Sequence, residues 1–96
     1  MSENQFALAL LDWHGGQGTG LYAVGSSLFA GHWPSFEQMV RAIRELKRER
    51  IRALQYGRHD DAKELRELRS RLELMLRCNE QYCGDYQRWL SEGNTL

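Results

Sequence analysis

Four arginines, Arg41, Arg44, Arg48 and Arg52, recur at spacings of three and four along one stretch of the chain. On a helix, at about 100° per residue, they fall within about 80° of one another. Guanidinium groups in such a row bind carboxylates or phosphates through paired N–H donors, so the stripe suits an acidic protein surface or a nucleic-acid backbone. Residues 35–58 carry seven basic and three acidic side chains, so the stretch stays positive even with Glu37, Glu45 and Glu49 paired to it. Trp13, beside a glycine-rich loop, is a further contact residue, because aromatic and arginine side chains dominate binding hot spots. Trp13, Arg41, Arg44, Arg48 and Arg52 are therefore the residues expected to meet a partner.

Other reactive groups point to no chemistry. The run Gly15-Gly16-Gln17-Gly18-Thr19-Gly20 invites a phosphate reading, but a phosphate loop needs a helix behind it and usually a Gly-Lys-Ser/Thr end. Here a strand is expected to follow. His14, His32 and His59 with Cys78 and Cys83 lack the close pairing of structural zinc ligands. Neither cysteine follows a turn that would expose a nucleophile, and the carboxylate pair Asp60-Asp61 is explained by helix capping. No cofactor, no metal and no enzymatic activity are expected.

The 96 residues carry 13 basic and 13 acidic side chains, and this balance disfavours both general nucleic-acid coating and acidic DNA mimicry. A chain of this length makes one domain with one small core. The start Met-Ser-Glu-Asn has no positive charge, and the apolar run Phe6 to Leu11 is too short for a membrane span or secretory signal, so a cytoplasmic location is expected. Cys78 and Cys83, five apart on one expected helix, would point about 140° away from each other, so they are expected to stay reduced.

The elements that would position these groups are read from periodicity. Over 5–33, Phe6, Leu8 and Leu10 alternate with Ala7, Ala9, Leu11 and Trp13, and glycines follow. Ala and Leu also favour a helix, but length and the glycines favour a strand. Leu21 to Val24 and Leu28 to Gly31 read as further short strands, giving an antiparallel sheet of two or three strands. Ser35 with Gln38 has the form of a capping box, opening helix one over 35–56 with the stripe Phe36, Met39, Val40, Ile43, Leu46, Ile51 and Leu54. Gly57 ends it. Helix two runs over 60–90, capped by Asp60 or Asp61, with a seven-residue seam at Leu65, Leu68, Leu72, Met75, Asn79, Tyr82, Tyr86 and Trp89. Gly84 marks a kink, and 91–96 form a polar tail. Lys47 and Arg50 fall near the apolar stripe and are expected to snorkel or to pair with Glu67 or Glu73. The expected class is thus α+β, a sheet followed by a long antiparallel helical hairpin. Helix one reaches roughly 30 Å and helix two roughly 45 Å, so Tyr82, Tyr86 and Trp89 overhang and need cover from the sheet or from a second chain.

A small domain with a short sheet, the helix start Trp33-Pro34-Ser35-Phe36-Glu37-Gln38 and a charged helical hairpin resembles small phage-encoded inhibitors, the anti-CRISPR proteins. That resemblance implies stoichiometric binding to a bacterial CRISPR effector complex in the host cytoplasm, blocking DNA recognition or nuclease recruitment. The balanced charge departs from the acidic character common in that group and implies an apolar or arginine-anchored contact. A nucleic-acid binder using helix one and a homodimer formed through helix two are the competing expectations.

Overall fold

The computed structural model describes residues 2–96, and every regular element among them is a helix. The five are α1 (Glu3–Asp12), α2 (Gly20–Phe29), α3 (Phe36–Gln55), α4 (His59–Cys78) and α5 (Cys83–Ser91). The expected N-terminal sheet is replaced by α1 and α2, so the α+β class gives way to an all-helical one.

Local chemistry explains the replacement. Ser2 forms a capping box with Gln5, its Oγ accepting from the Gln5 N–H at 3.2 Å while the Gln5 Oε1 accepts from the Ser2 N–H at 2.9 Å. The Ala-Leu run behind it is strong helix former, and Phe6, Ala7 and Leu10 turn inward at helical spacing. Thr19 caps α2 by accepting from the Tyr22 N–H at 3.1 Å. The glycines taken for turn signals are contact points. A Cβ on Gly20 would lie 2.7 Å from the Ala42 nitrogen, and one on Gly25 would lie 2.8 Å from Leu11 Cγ. They let α2 approach α3 on one side and α1 on the other.

The α3–α4 pair is an antiparallel hairpin. The Ser35–Gln38 capping box opens α3. At its far end Gly57 takes φ +71°, and the Arg58 N–H reaches the Ala53 carbonyl at 2.8 Å while the Gly57 N–H reaches that of Leu54 at 3.2 Å. This is a Schellman ending, which glycine adopts without Cβ strain. Asp60 and Asp61 do not cap α4; they lie in its first turn, where their charge still opposes the positive helix end.

The 60–90 helix is two helices. The break comes at Asn79, before Gly84. The Asn79 Oδ1 accepts from the Gln81 N–H at 2.8 Å, a local bond that competes with helix continuation. Past it α5 folds back, so the aromatic residues of the expected overhang meet α3 and the α2–α3 link. The Tyr82 hydroxyl donates to the Pro34 carbonyl at 2.7 Å, and Trp89 meets Phe36 edge-on with ring centroids 5.8 Å apart. One core results, joining Phe6 and Leu10 of α1, Leu21 and Val24 of α2, Met39, Ile43 and Leu46 of α3, and Leu65, Leu68, Leu72 and Leu76 of α4.

Tyr82 supplies a pH-dependent test. Only 2% exposed, its phenol is pushed up to about 12 by loss of hydration. Below about pH 10 folded and unfolded chains both hold that proton and its contribution is complete. Between about pH 10 and 12 the unfolded chain releases the proton first, so stability falls as pH rises. Tyr82→Phe, which leaves the Pro34 carbonyl unpaired, is expected to cost about 1–2 kcal/mol at pH 7. The gap between wild type and variant in urea denaturation should narrow at pH 11. A constant gap at both pH values would show that the phenol titrates normally.

Candidate functional site

The arginine row is displayed as a surface. Arg41, Arg44, Arg48 and Arg52 are all exposed, while Met39, Ala42, Ile43, Leu46 and Ala53 of the same helix are buried. The row therefore runs down the face of α3 turned away from the core.

Each arginine has its own setting. The Arg41 Nη2 donates to the Gly18 carbonyl at 2.8 Å, tying α3 to the loop before α2. The Arg44 Nη2 donates to the Thr95 carbonyl at 3.1 Å, and its guanidinium carbon sits 5.7 Å from the centre of the Trp89 ring. Arg52 pairs with Glu49 at 3.1 Å, an exposed contact one turn apart that contributes little to stability. Arg48 makes no hydrogen bond or ion pair among the described residues.

Trp13 belongs to the same surface. It caps the C-terminal end of α1, is half-buried against the core, and shares a recess of about 220 Å³ with Thr19, Leu21, Arg48 and Arg52. All five expected contact residues therefore lie on or beside one face, with Trp13 toward the Arg48–Arg52 end and Trp89 at Arg44.

Glu45 has a role that spacing along α3 does not reveal. Its Oε2 accepts from the Gly20 N–H at 2.9 Å and its Oε1 from the Leu21 N–H at 2.8 Å. The glycine-rich loop does lead into a helix N-terminus, contrary to the expected strand, and a carboxylate from the same chain occupies the anion position there. Glu45 is thereby withdrawn from the arginines. The pairing expected for Lys47 and Arg50 is also absent among the described residues; Glu73 faces Arg69 of its own helix at 3.6 Å.

Three contributors to this face were not read from sequence: Trp89, Thr95 and Leu96. Trp89 follows the apolar seam, which leaves open whether the chain's own core or a second chain covers it, and the tail carries no periodic signal. A separate cleft of about 240 Å³ lies between α1, the α2–α3 link and α4, lined by Phe6, Leu28, Trp33, Arg71 and Met75 among others. Trp33 is 54% exposed there and Arg71 lies 4.3 Å over the Phe6 ring. Nothing in the spacing of these residues brings them together; the all-helical packing does. No group of three or more metal-ligating side chains gathers among the described residues, and none of their helices is long and apolar enough to cross a membrane. Compared with protein-family models, curated proteins and solved structures, the chain matches none.

Proposed function

We propose that this chain is a non-enzymatic binding domain that engages an acidic surface of another protein through the outer face of α3. The observation that carries the reading is the exposed row of Arg41, Arg44, Arg48 and Arg52, flanked by Trp13 and Trp89 and relieved of Glu45. Arginine beside partly covered aromatic rings is the composition of protein-binding hot spots. The balanced net charge favours a protein over a nucleic-acid backbone, whose affinity is carried by net positive charge. The seam of α4 is consumed internally, since Leu65, Leu68, Leu72 and Leu76 are buried, which weighs against self-association through that helix.

Of the features that carry the resemblance to phage-encoded CRISPR inhibitors, the short sheet is replaced by α1 and α2, while the Trp33–Gln38 helix start and the charged hairpin remain; the proposal made here is confined to protein binding.

The test is capture from a nuclease-treated bacterial lysate by the immobilised wild type and by an Arg44→Glu/Arg48→Glu variant, read by mass spectrometry and quantified with the purified partner. Each hot-spot arginine contributes about 2 kcal/mol, so the double reversal is expected to weaken binding on the order of 1,000-fold with an unchanged circular dichroism spectrum. Equal affinity of the two proteins would remove α3 from the interface. Retention of nucleic acid alone would favour the nucleic-acid reading.

A further inference from the structure

The basic face is not open along its whole length, because the chain's own tail lies on it. After α5, Gly93 takes φ +91° and the chain turns back toward α3, with the Asn94 side-chain amide donating to the Trp89 carbonyl at 3.0 Å. The Thr95 carbonyl accepts from Arg44 at 3.1 Å. Leu96 is half-buried against the core and forms one wall of a hollow otherwise lined by Arg41, Arg44, Glu45, Lys47 and Arg48.

These contacts show what the edge of the hollow accepts: a short non-helical segment whose backbone carbonyl meets a guanidinium and whose aliphatic side chain packs on the core beside the cations. The tail fits in shape and falls short in charge. Between Glu92 and Leu96 the one acidic side chain, Glu92, is not among the residues that line the hollow. The only carboxylate in the wall, Glu45, has both oxygens engaged by the Gly20 and Leu21 N–H groups. A segment of the same shape with more carboxylates would gain charge-assisted hydrogen bonds that the tail does not make.

The geometry points to this hollow as a docking groove for an extended acidic segment of a partner protein, with residues 93–96 as a weak, displaceable occupant. The inference rests on the reading of α3 as the binding face and adds to it the form of the ligand and a built-in competitor. A tail tethered beside the groove competes at high effective concentration, and the apparent affinity of an external peptide falls by the fraction of molecules whose groove is covered. Loosening the tail should therefore strengthen binding, the opposite of what removing a ligand-contacting residue does.

The experiment measures fluorescence anisotropy of a labelled peptide, EDETLDE, which places the tail's Thr-Leu pair among carboxylates. The proteins are wild type, Leu96→Ala, Leu96→Ala combined with Lys47→Glu, and Arg44→Glu/Arg48→Glu, all checked for an unchanged circular dichroism spectrum. Leu96→Ala is expected to bind the peptide about fivefold tighter than wild type, and the added Lys47→Glu to weaken it at least tenfold. Equal or weaker binding by Leu96→Ala would overturn the tail as competitor; the α3 reading would survive if Arg44→Glu/Arg48→Glu still lost the peptide. Binding by none of the proteins would overturn the peptide class, leaving the lysate capture to judge the face on its own. Gain of affinity for a 20-base-pair DNA duplex but not for the peptide would overturn it in favour of a nucleic-acid backbone.

Discussion

Leu72→Asp is expected to leave the chain unfolded at room temperature. Leu72 has no exposed surface and sits in the single core shared by all four longer helices. Truncating a buried leucine costs about 2–5 kcal/mol. A carboxylate in its place adds several kcal/mol, whether it stays charged and unpaired or takes up a proton at neutral pH. The total, roughly 5–10 kcal/mol, is comparable with the roughly 5–15 kcal/mol that holds a domain together. Leu74→Asp, two residues along the same helix, is the control: Leu74 is 51% exposed and its replacement should change stability by no more than about 0.5 kcal/mol. Thermal melts followed by circular dichroism separate the two. A cooperative transition for Leu72→Asp near that of wild type would mean that the seam of α4 is not the core.

That seam was legible because its signals agree. Leu65, Leu68 and Leu72 repeat at helical spacing, Gly57 supplies the turn, and the Ser35–Gln38 box opens the partner helix; all three are local and independent of the rest of the molecule. The N-terminal third carries similar signals, yet its pattern favours strands over the helices it forms. Ser2–Gln5 is a capping box of the same kind as Ser35–Gln38. Leu21, Val24 and Leu28 follow a helical period. Two features outweighed them. A short apolar run fits either period, and a glycine in sequence marks a backbone turn as readily as the close helix contacts that Gly20 and Gly25 make. Close approach is a property of the neighbour, and a sequence read one element at a time does not contain it.

The site divides along the same line. The arginine row needs only the period of α3, and it was visible in full. Its surroundings depend on which segments return to that helix. Asn79 stood out as a polar residue in an apolar seam, but only the structure shows that it ends α4 and sends Trp89 and the tail back over Arg44. In sequence Glu45 is one of three carboxylates available to pair with the arginines, and its engagement by the Gly20 and Leu21 N–H groups requires α2 to be a helix in the first place.

Gly20→Ala tests that arrangement most directly. Its Cβ would fall 2.7 Å from the Ala42 nitrogen, 2.8 Å from Arg41 Cβ and 3.0 Å from the Arg41 carbonyl carbon. None of these atoms is the end of a flexible side chain, so α2 as a whole has to withdraw from α3. Overpacking of this kind costs about 1–3 kcal/mol. Withdrawal also stretches the two bonds from the Gly20 and Leu21 N–H groups to Glu45, now 2.9 and 2.8 Å, and charge-assisted bonds contribute about 1.5–3 kcal/mol each. A loss of roughly 3–4 kcal/mol is expected, lowering the melting temperature by about 12–25 °C. Gly84→Ala is the counterpart: nothing lies within 4 Å of its added methyl, and it should be neutral or stabilising by up to about 1 kcal/mol. The loop that joins α1 to α2 carries Trp13 at one end and Gly20 at the other, so withdrawal of α2 also pulls Trp13 from Arg48 and Arg52. Gly20→Ala should therefore weaken partner binding even at a temperature where it is still folded. If it melts and binds like wild type, α2 is not seated on α3 at this point, and the recess that joins Trp13 to the arginine row does not exist.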